Sequence, residues 1–294
     1  MEENKQLLFI VNPIAGNLNK DQLILEVKKN IAIKGYGIEL YQTSGNEDAA
    51  KMKALIKKAS PTRVIVAGGD GTIKMVAEVL TEFDLPLGII PAGSANGLAF
   101  NLNLTILPLE RQIDVALGEN FSQVDILDIN GEYCLHMSDF GINAELIKNY
   151  QTSKIRGKFG YLLQSIPTLI QSKYPFEFQI TTEKEIITKK GILLAFANFQ
   201  KYGTGANINP HGNPDDGVFE IIVFKEFDIL EIIKTLRNED DLDPKFAEII
   251  PATWAKVKCT TPVAFQIDGE YIGELEEIDV KIISRRLKIA TPRI

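Results

Sequence analysis

The sequence predicts an α/β protein in two domains: an N-terminal doubly wound parallel sheet and a C-terminal antiparallel β-sandwich. Three observations carry this. Apolar strand-length runs alternate with helical stretches from Leu7 to Leu117, the pattern of βαβ units. From about Ser122 short extended runs broken by turn residues take over. The chain has 294 residues, 45% of them hydrophobic, enough for two cores at ~150 residues per domain.

Leu7 to Val11 is a continuous apolar run stopped by Asn12-Pro13, which reads as a buried strand. Asn19, with Gln22 three residues on, opens a helix to about Ile33 that Gly35 closes. Gly37 to Gln42 alternates as a second strand, and Asn46 is the expected cap of a second helix ending before Ser60-Pro61. Arg63 to Ala67 is a third buried strand. After Gly71, the spacing of Ile73, Val76, Ala77 and Leu80 predicts a helix at once. Pro86 to Ile90 is a fourth strand, and Leu109–Leu117 a closing helix. The boundary falls near 118–124, giving a first domain over 1–121 and a second over 122–283. In the second, strands are expected at Gln123–Ile129, Tyr133–Met137, Phe176–Thr182, Ile192–Ala197, Val218–Phe224, Val263–Ile267 and Ile278–Ile283, with turns at Asn130-Gly131 and Asp268-Gly269. Phe159 to Ile170 follows helical spacing, with a kink expected at Pro167.

Composition removes several functions. A net charge of −7 argues against a nucleic-acid partner, which calls for a basic face. Cys134 and Cys259 form no CxxC pair, so neither a disulfide scaffold nor a zinc ribbon is expected. His136 and His211 are the two histidines, too few for a histidine metal site. His136 reads as a packed strand residue. No apolar run approaches ~18 residues, so no membrane span is expected. The start MEENKQLLFIV does not read as a signal peptide. A reducing, cytoplasmic setting follows.

Gly68-Gly69-Asp70-Gly71-Thr72 lies between a buried strand and a helix start. Glycines there let a backbone approach phosphate, and a helix N-terminus offers free N–H groups. Asp70 could face a metal or a reacting hydroxyl. The alternative is a tight turn without a ligand. Asn12-Pro13-Ile14-Ala15-Gly16 and Pro91-Ala92-Gly93-Ser94-Ala95-Asn96-Gly97 follow two other strands. Each alone is compatible with an ordinary turn. In a doubly wound sheet, however, all three gather on the edge where nucleotides bind. None is a Walker A loop.

In order and spacing, these three segments resemble the catalytic domain of the diacylglycerol kinase and sphingosine kinase superfamily of lipid kinases. The resemblance continues through Asn198, Tyr202-Gly203-Thr204-Gly205, Pro210, Asp215-Asp216-Gly217 and Asp268-Gly269-Glu270. It implies an active site in a cleft between the two domains, with the last strand, from 284 to 294, returning to the first. ATP is the implied nucleotide and Mg²⁺ the implied metal. By position, Asn12, Pro13, Ile14, Ala15 and Gly16 would contact the nucleotide, with Thr43, Ser94 and Asn96 beside it. Gly68, Gly69, Asp70, Gly71, Thr72, Ile73 and Lys74 would cradle the phosphates. In similar kinases the DGE motif supplies the base that takes the acceptor's proton: Glu270 is favoured for it, with Asp268 supporting. A plain Asp-Gly hairpin turn is the competing reading. Asn213, Asp216 and Val218 would hold a second Mg²⁺, against which stands an ordinary Pro-Asp-Asp-Gly turn.

The implied activity is phosphoryl transfer from ATP to a hydroxyl of diacylglycerol or a related lipid. The implied partners are that lipid, transient peripheral contact with a membrane, and room for a homodimer. Positions 146–176 hold no acidic residue and five basic ones, Lys148, Lys154, Arg156, Lys158 and Lys173, so this stretch is a candidate membrane face. The commoner origin of such a pattern is a core-facing helix with solvated charges. Lys74-Met75 stands where the family commonly has Asn-Glu, and Gly97 where it has Asp. These departures bear on the acceptor. They also keep open a nucleotide-binding regulator without turnover. A second alternative is an NAD kinase-like enzyme, which shares a GGDGT loop and a similar two-domain plan.

Overall fold

The computed structural model describes residues 6–16, 19–152, 175–202, 205–237 and 242–293. The chain divides into two compact units, 1–124 with 285–294, and 125–284.

Unit 1 alternates strand and helix: β1 (Gln6–Val11), α1 (Lys20–Ile33), β2 (Gly37–Gln42), α2 (Asp48–Ala59), β3 (Arg63–Gly68), α3 (Asp70–Leu80), β4 (Leu87–Pro91), α4 (Gly97–Asn101) and α5 (Leu109–Leu117). The strands pair in parallel in the order β4-β3-β1-β2. A later segment of chain adds Ile289 beside Leu87, again parallel. β1, β3 and β4 are almost wholly buried, which explains their unbroken apolar runs: helices cover both faces. Leu23, Ile24, Val27 and Ile31 of α1 and Ile113 and Ala116 of α5 pack on the face of Leu7, Phe9, Ile65 and Ile90. Helices α2 and α3 pack on each other and on β1 and β3.

Local signals set the helix ends. Asn19 Oδ1 accepts the Gln22 N–H at 3.1 Å and opens α1 as expected. The second helix differs. Asn46 does not cap it. Glu47 takes the left-handed conformation at the N-cap with no side-chain bond, and the Asp48 carboxylate gathers the N–H groups of Ser44 and Gly45.

Unit 2 is antiparallel. Its elements are β5 (Phe121–Ile129, entering from unit 1), β6 (Glu132–Cys134), β7 (Met137–Gly141), α6 (Ile142–Thr152), β8 (Phe176–Thr182), β9 (Ile186–Gly191), β10 (Leu193–Ala197), β11 (Phe219–Phe224), α7 (Ile229–Leu236), β12 (Ala247–Ala252), β13 (Trp254–Ile267) and β14 (Glu270–Ala290, leaving for unit 1). The ladder runs β12-β11-β10-β7-β13-β14. β13 pairs with β14 along one edge and with two strands along the other, its first half with β8 and its last residues with β7; the β13–β14 pairing has register shifts between Lys258 and Val263 and at Phe265/Gln266. That irregularity turns the strand from one layer of the sandwich to the other. Phe140, Phe178, Phe196, Phe219 and Phe265 fill the core.

The expected single strand Tyr133–Met137 is split into β6 and β7. The N–H groups of Leu135 and His136 are taken by the carboxylate of Asp268, which interrupts the ladder until β7 begins at Met137, whose N–H also meets that carboxylate. The helix expected over Phe159–Ile170 lies outside the described residues. Among the described residues no helix is long and apolar enough to cross a membrane.

Candidate active site

A sheet ordered 2-1-3-4 reverses direction between β1 and β3, and ligands of such sheets bind at that point beyond the carboxyl ends of the strands. The segment after β1 is Asn12–Gly16 and the segment after β3 is Gly69–Thr72. The third, Ala92–Asn96, follows β4.

These segments touch through their backbones, which is what the glycines permit. A Cβ on Gly93 would stand 2.4 Å from Gly69 Cα, and one on Gly16 2.5 Å from Ala92 O. Asn12 Nδ2 donates to Thr72 Oγ1 at 2.9 Å, joining the first segment to the second. Asp70 joins the second to the third: its Oδ2 accepts the Gly97 N–H at 3.0 Å and its Oδ1 the Leu98 N–H at 3.2 Å. Asn96, at φ 58°, folds its own segment, accepting from Gly93 N–H and donating to Gly93 O. Lys20 Nζ reaches Ala92 O at 3.4 Å. Thr43 sits at the end of β2 and donates its N–H to Val11 O.

The resulting surface is made of main chain. Gly69 caps α3 without any side-chain bond, so the first turn presents bare N–H groups. Pro13, Ile14, Gly16, Gly71 and Ser94 are exposed; Ile14 is 89% exposed. Ala15 is half-buried, and Thr72, Ile73 and Lys74 are buried. Lys74 Nζ lies 3.9 Å from Glu78, one helical turn on. Such an edge suits a polyphosphate: close main-chain approach, N–H donors and no carboxylate left facing outward by Asp70.

In unit 2 the DGE motif is a two-residue hairpin between β13 and β14. Asp268 has φ 50° and Gly269 φ 86°, the pair of positive values a type I′ turn requires. The turn reading is therefore correct as geometry, and it separates the two carboxylates. Asp268 is consumed by structure, accepting from Leu135 N (2.8 Å), His136 N (2.9 Å) and Met137 N (3.3 Å). The Glu270 side chain is exposed and has no hydrogen-bond partner among the described residues, while its main chain pairs with Ile267. His136 is packed, with Nε2 at 2.6 Å from Lys201 O.

The Asn213–Val218 loop is tied to Asp125, a buried residue that sequence reasoning missed. Asp125 N donates to Pro214 O at 2.7 Å and Asp125 Oδ2 accepts the Gly217 N–H at 2.8 Å. Asp216 is exposed and spends Oδ1 on the Val218 N–H. Its remaining oxygen and the loop carbonyls are hard donors, which fit Mg²⁺ with most of its waters retained. Among the described residues no cluster of three His, Cys, Asp or Glu side chains is suited to a metal. No hydrogen bond joins this loop to the DGE turn among the described residues. Of the five basic residues in 146–176, Lys154, Arg156, Lys158 and Lys173 lie outside the described residues. Lys148 pairs with Glu274 at 2.9 Å.

Residues 6–129 match the diacylglycerol kinase catalytic domain, and residues 137–291 match the YegS C-terminal NAD kinase beta sandwich-like domain. The chain belongs to the diacylglycerol kinase family of lipid kinases. A diacylglycerol kinase of Bacillus subtilis is 25% identical, covering 98% of this chain and 97% of its own. The "probable lipid kinase YegS" of Shigella dysenteriae is also 25% identical, covering 97% and 95%. A crystal structure of a diacylglycerol kinase from Bacillus anthracis superposes with a TM-score of 0.74 over 98% of this chain and 97% of that one. At 18% identity, that likeness shows the shared fold.

Proposed function

We propose that this protein is an ATP-dependent lipid kinase that transfers the γ-phosphoryl group of ATP to a hydroxyl of diacylglycerol or a related lipid. The observation that carries this is the division of labour in the DGE turn. One carboxylate is locked by three main-chain N–H groups and the other is free and exposed.

In this reading the backbones of Asn12–Gly16, Gly68–Thr72 and Ala92–Asn96 bind the polyphosphate. Asn12 and Asp70 keep the three segments in register, and Ile73 and Lys74 anchor the first turn of α3. Thr43 flanks the nucleotide. Glu270 accepts the proton of the lipid hydroxyl as the phosphoryl group transfers. Asp268 holds the turn that presents it. Such a reaction depends mainly on positioning and on charge stabilisation. Asp216 and the carbonyls of Asn213 and Val218 would hold a second Mg²⁺, and Mg²⁺ bound with ATP would neutralise phosphate charge. The acceptor resides in a bilayer, so the protein works from the cytoplasm by transient membrane contact, for which 146–176 is the candidate stretch.

The test is label transfer from γ-labelled ATP to diacylglycerol in mixed micelles. A phosphorylated lipid supports the reading. Phosphorylation of NAD with no lipid product moves the protein to the NAD kinase-like class.

A further inference from the structure

The turn that carries Glu270 is held from behind by a third carboxylate. Asp139 lies in β7, 0% exposed, opposite Gln266 of β13 in the ladder. Its Oδ2 accepts from Gln266 Nε2 (2.6 Å), Asn143 Nδ2 (2.7 Å) and the Tyr202 hydroxyl (3.0 Å). Those donors come from β13, from α6 and from the segment after β10. Gln266 then passes the constraint on: its Oε1 accepts the Gly269 N–H at 2.7 Å. The chain Asp139–Gln266–Gly269 ends one residue before Glu270.

The chemistry of the two side chains makes this chain directional. An ionised carboxylate only accepts, so the Gln266 amide must turn its NH₂ toward Asp139. That leaves Oε1, and only Oε1, facing the turn. Asp139 Oδ1 is buried with no well-formed hydrogen bond among the described residues, and burial pushes the carboxyl up to about 6 against the opposing pull of Asn143, Gln266, Tyr202 and the Ala144 N–H. Packing alone does not explain a buried, half-satisfied carboxylate, since a neutral group of the same shape costs less there.

We propose that Asp139 is a positioning residue: through Gln266 it fixes the Asp268-Gly269 turn and with it the direction of Glu270. The inference rests on the reading of Glu270 as the base.

The test uses Asp139→Asn, with Gln266→Met as a second variant should the first fail to fold. Each is made in the wild-type and in the Glu270→Gln background. Asparagine keeps the volume but also donates, so it no longer dictates the orientation of Gln266. Amide exchange of the segment 266–272 is expected to rise roughly tenfold while the rest of unit 2 keeps its protection. The kcat is expected to fall roughly 10- to 100-fold with the KM for ATP unchanged, the size of a small misplacement of a reacting group. In the Glu270→Gln background the same change should leave the residual rate untouched. Unchanged exchange at 266–272 overturns the proposal whatever the activity. Exchange that rises throughout unit 2 overturns it also, making Asp139 a stability residue. Faster exchange confined to the turn with undiminished kcat keeps Asp139 as the holder of the turn and overturns instead the reading of Glu270 as the base.

Discussion

Asp70 and Gly97 meet at 3.0 Å, carboxylate to main-chain N–H, and the adjacent Leu98 N–H closes the second arm of the same grip. The conspicuous acid of the GGDGT segment thus orients α4 and the Ala92–Asn96 segment while standing at the head of α3. Asp70→Asn replaces one acceptor oxygen with a donor that faces an N–H. The expected result is a folded protein with kcat reduced at least about 100-fold. Circular dichroism with steady-state kinetics checks it; undiminished turnover in a folded variant removes Asp70 from the mechanism.

The two carboxylates of the DGE turn should respond to different assays. Glu270→Gln should lower kcat by ~10²–10⁴, with stability unchanged, because Glu270 supports nothing in the fold. Asp268→Ala leaves three buried-edge N–H groups without an acceptor and should cost about 1–3 kcal/mol of stability. Urea unfolding and kinetics on both variants check the pair. An active Glu270→Gln beside a folded but inactive Asp268→Asn would reverse the roles.

Gly93 and Gly69 are in main-chain contact, so Gly93→Ala must push two segments apart. Gly35 is the control. It has φ +77° and nothing within 4 Å of an added Cβ. Both Gly→Ala changes should destabilise by about 1–3 kcal/mol. Only Gly93→Ala should weaken ATP binding, as calorimetric titration would register.

Acid should act on two buried carboxylates with opposite signs. Asp48 suffers burial, yet hydrogen bonds from the Tyr41 hydroxyl, Ser44 and Gly45 outweigh it and hold its carboxyl down to about 2. Its folded value is below the unfolded 3.8, so its contribution is present above about pH 4 and is lost as pH falls toward 2. Asp139 is raised by burial to about 6, so its ionised form weakens the fold at neutral pH and that cost disappears between about pH 6 and 4. Stability measured against pH for Asp48→Asn and Asp139→Asn checks this: the wild-type advantage over Asp48→Asn should shrink below pH 4, and wild type should gain on Asp139→Asn between pH 6 and 4.

Unit 1 was readable because its signals are local. Buried parallel strands have unbroken apolar runs, Asn19 caps its own helix, and glycines cluster where main chains touch. The failures share a non-local cause. Tyr133–Met137 has the pattern of one strand, but Asp268, over a hundred residues away, draws the N–H groups of Leu135 and His136 out of the ladder. Asn46 and Asp48 are both good capping residues, and the choice between them depends on the Tyr41 hydroxyl and the left-handed Glu47. Beyond their apolar cores, β13 and β14 are charged and half-exposed, which hides them from any search for apolar runs. In the site, the motif glycines and the DGE turn were visible as sequence. Asp125, Asp139 and Gln266 were not, because a polar residue in a strand shows its importance only through the partners that bury it.

The central claim is that ATP-dependent lipid phosphorylation runs through Glu270, and one measurement reaches it directly. Wild type and Glu270→Gln are given γ-labelled ATP with a panel of lipid alcohols in anionic mixed micelles, NAD being present in the same reactions. The account predicts a labelled lipid phosphate from wild type, a product rate lower by ~10²–10⁴ from Glu270→Gln, and no labelled NADP from either. Labelled NADP without labelled lipid, or equal lipid phosphorylation by both proteins, would contradict it.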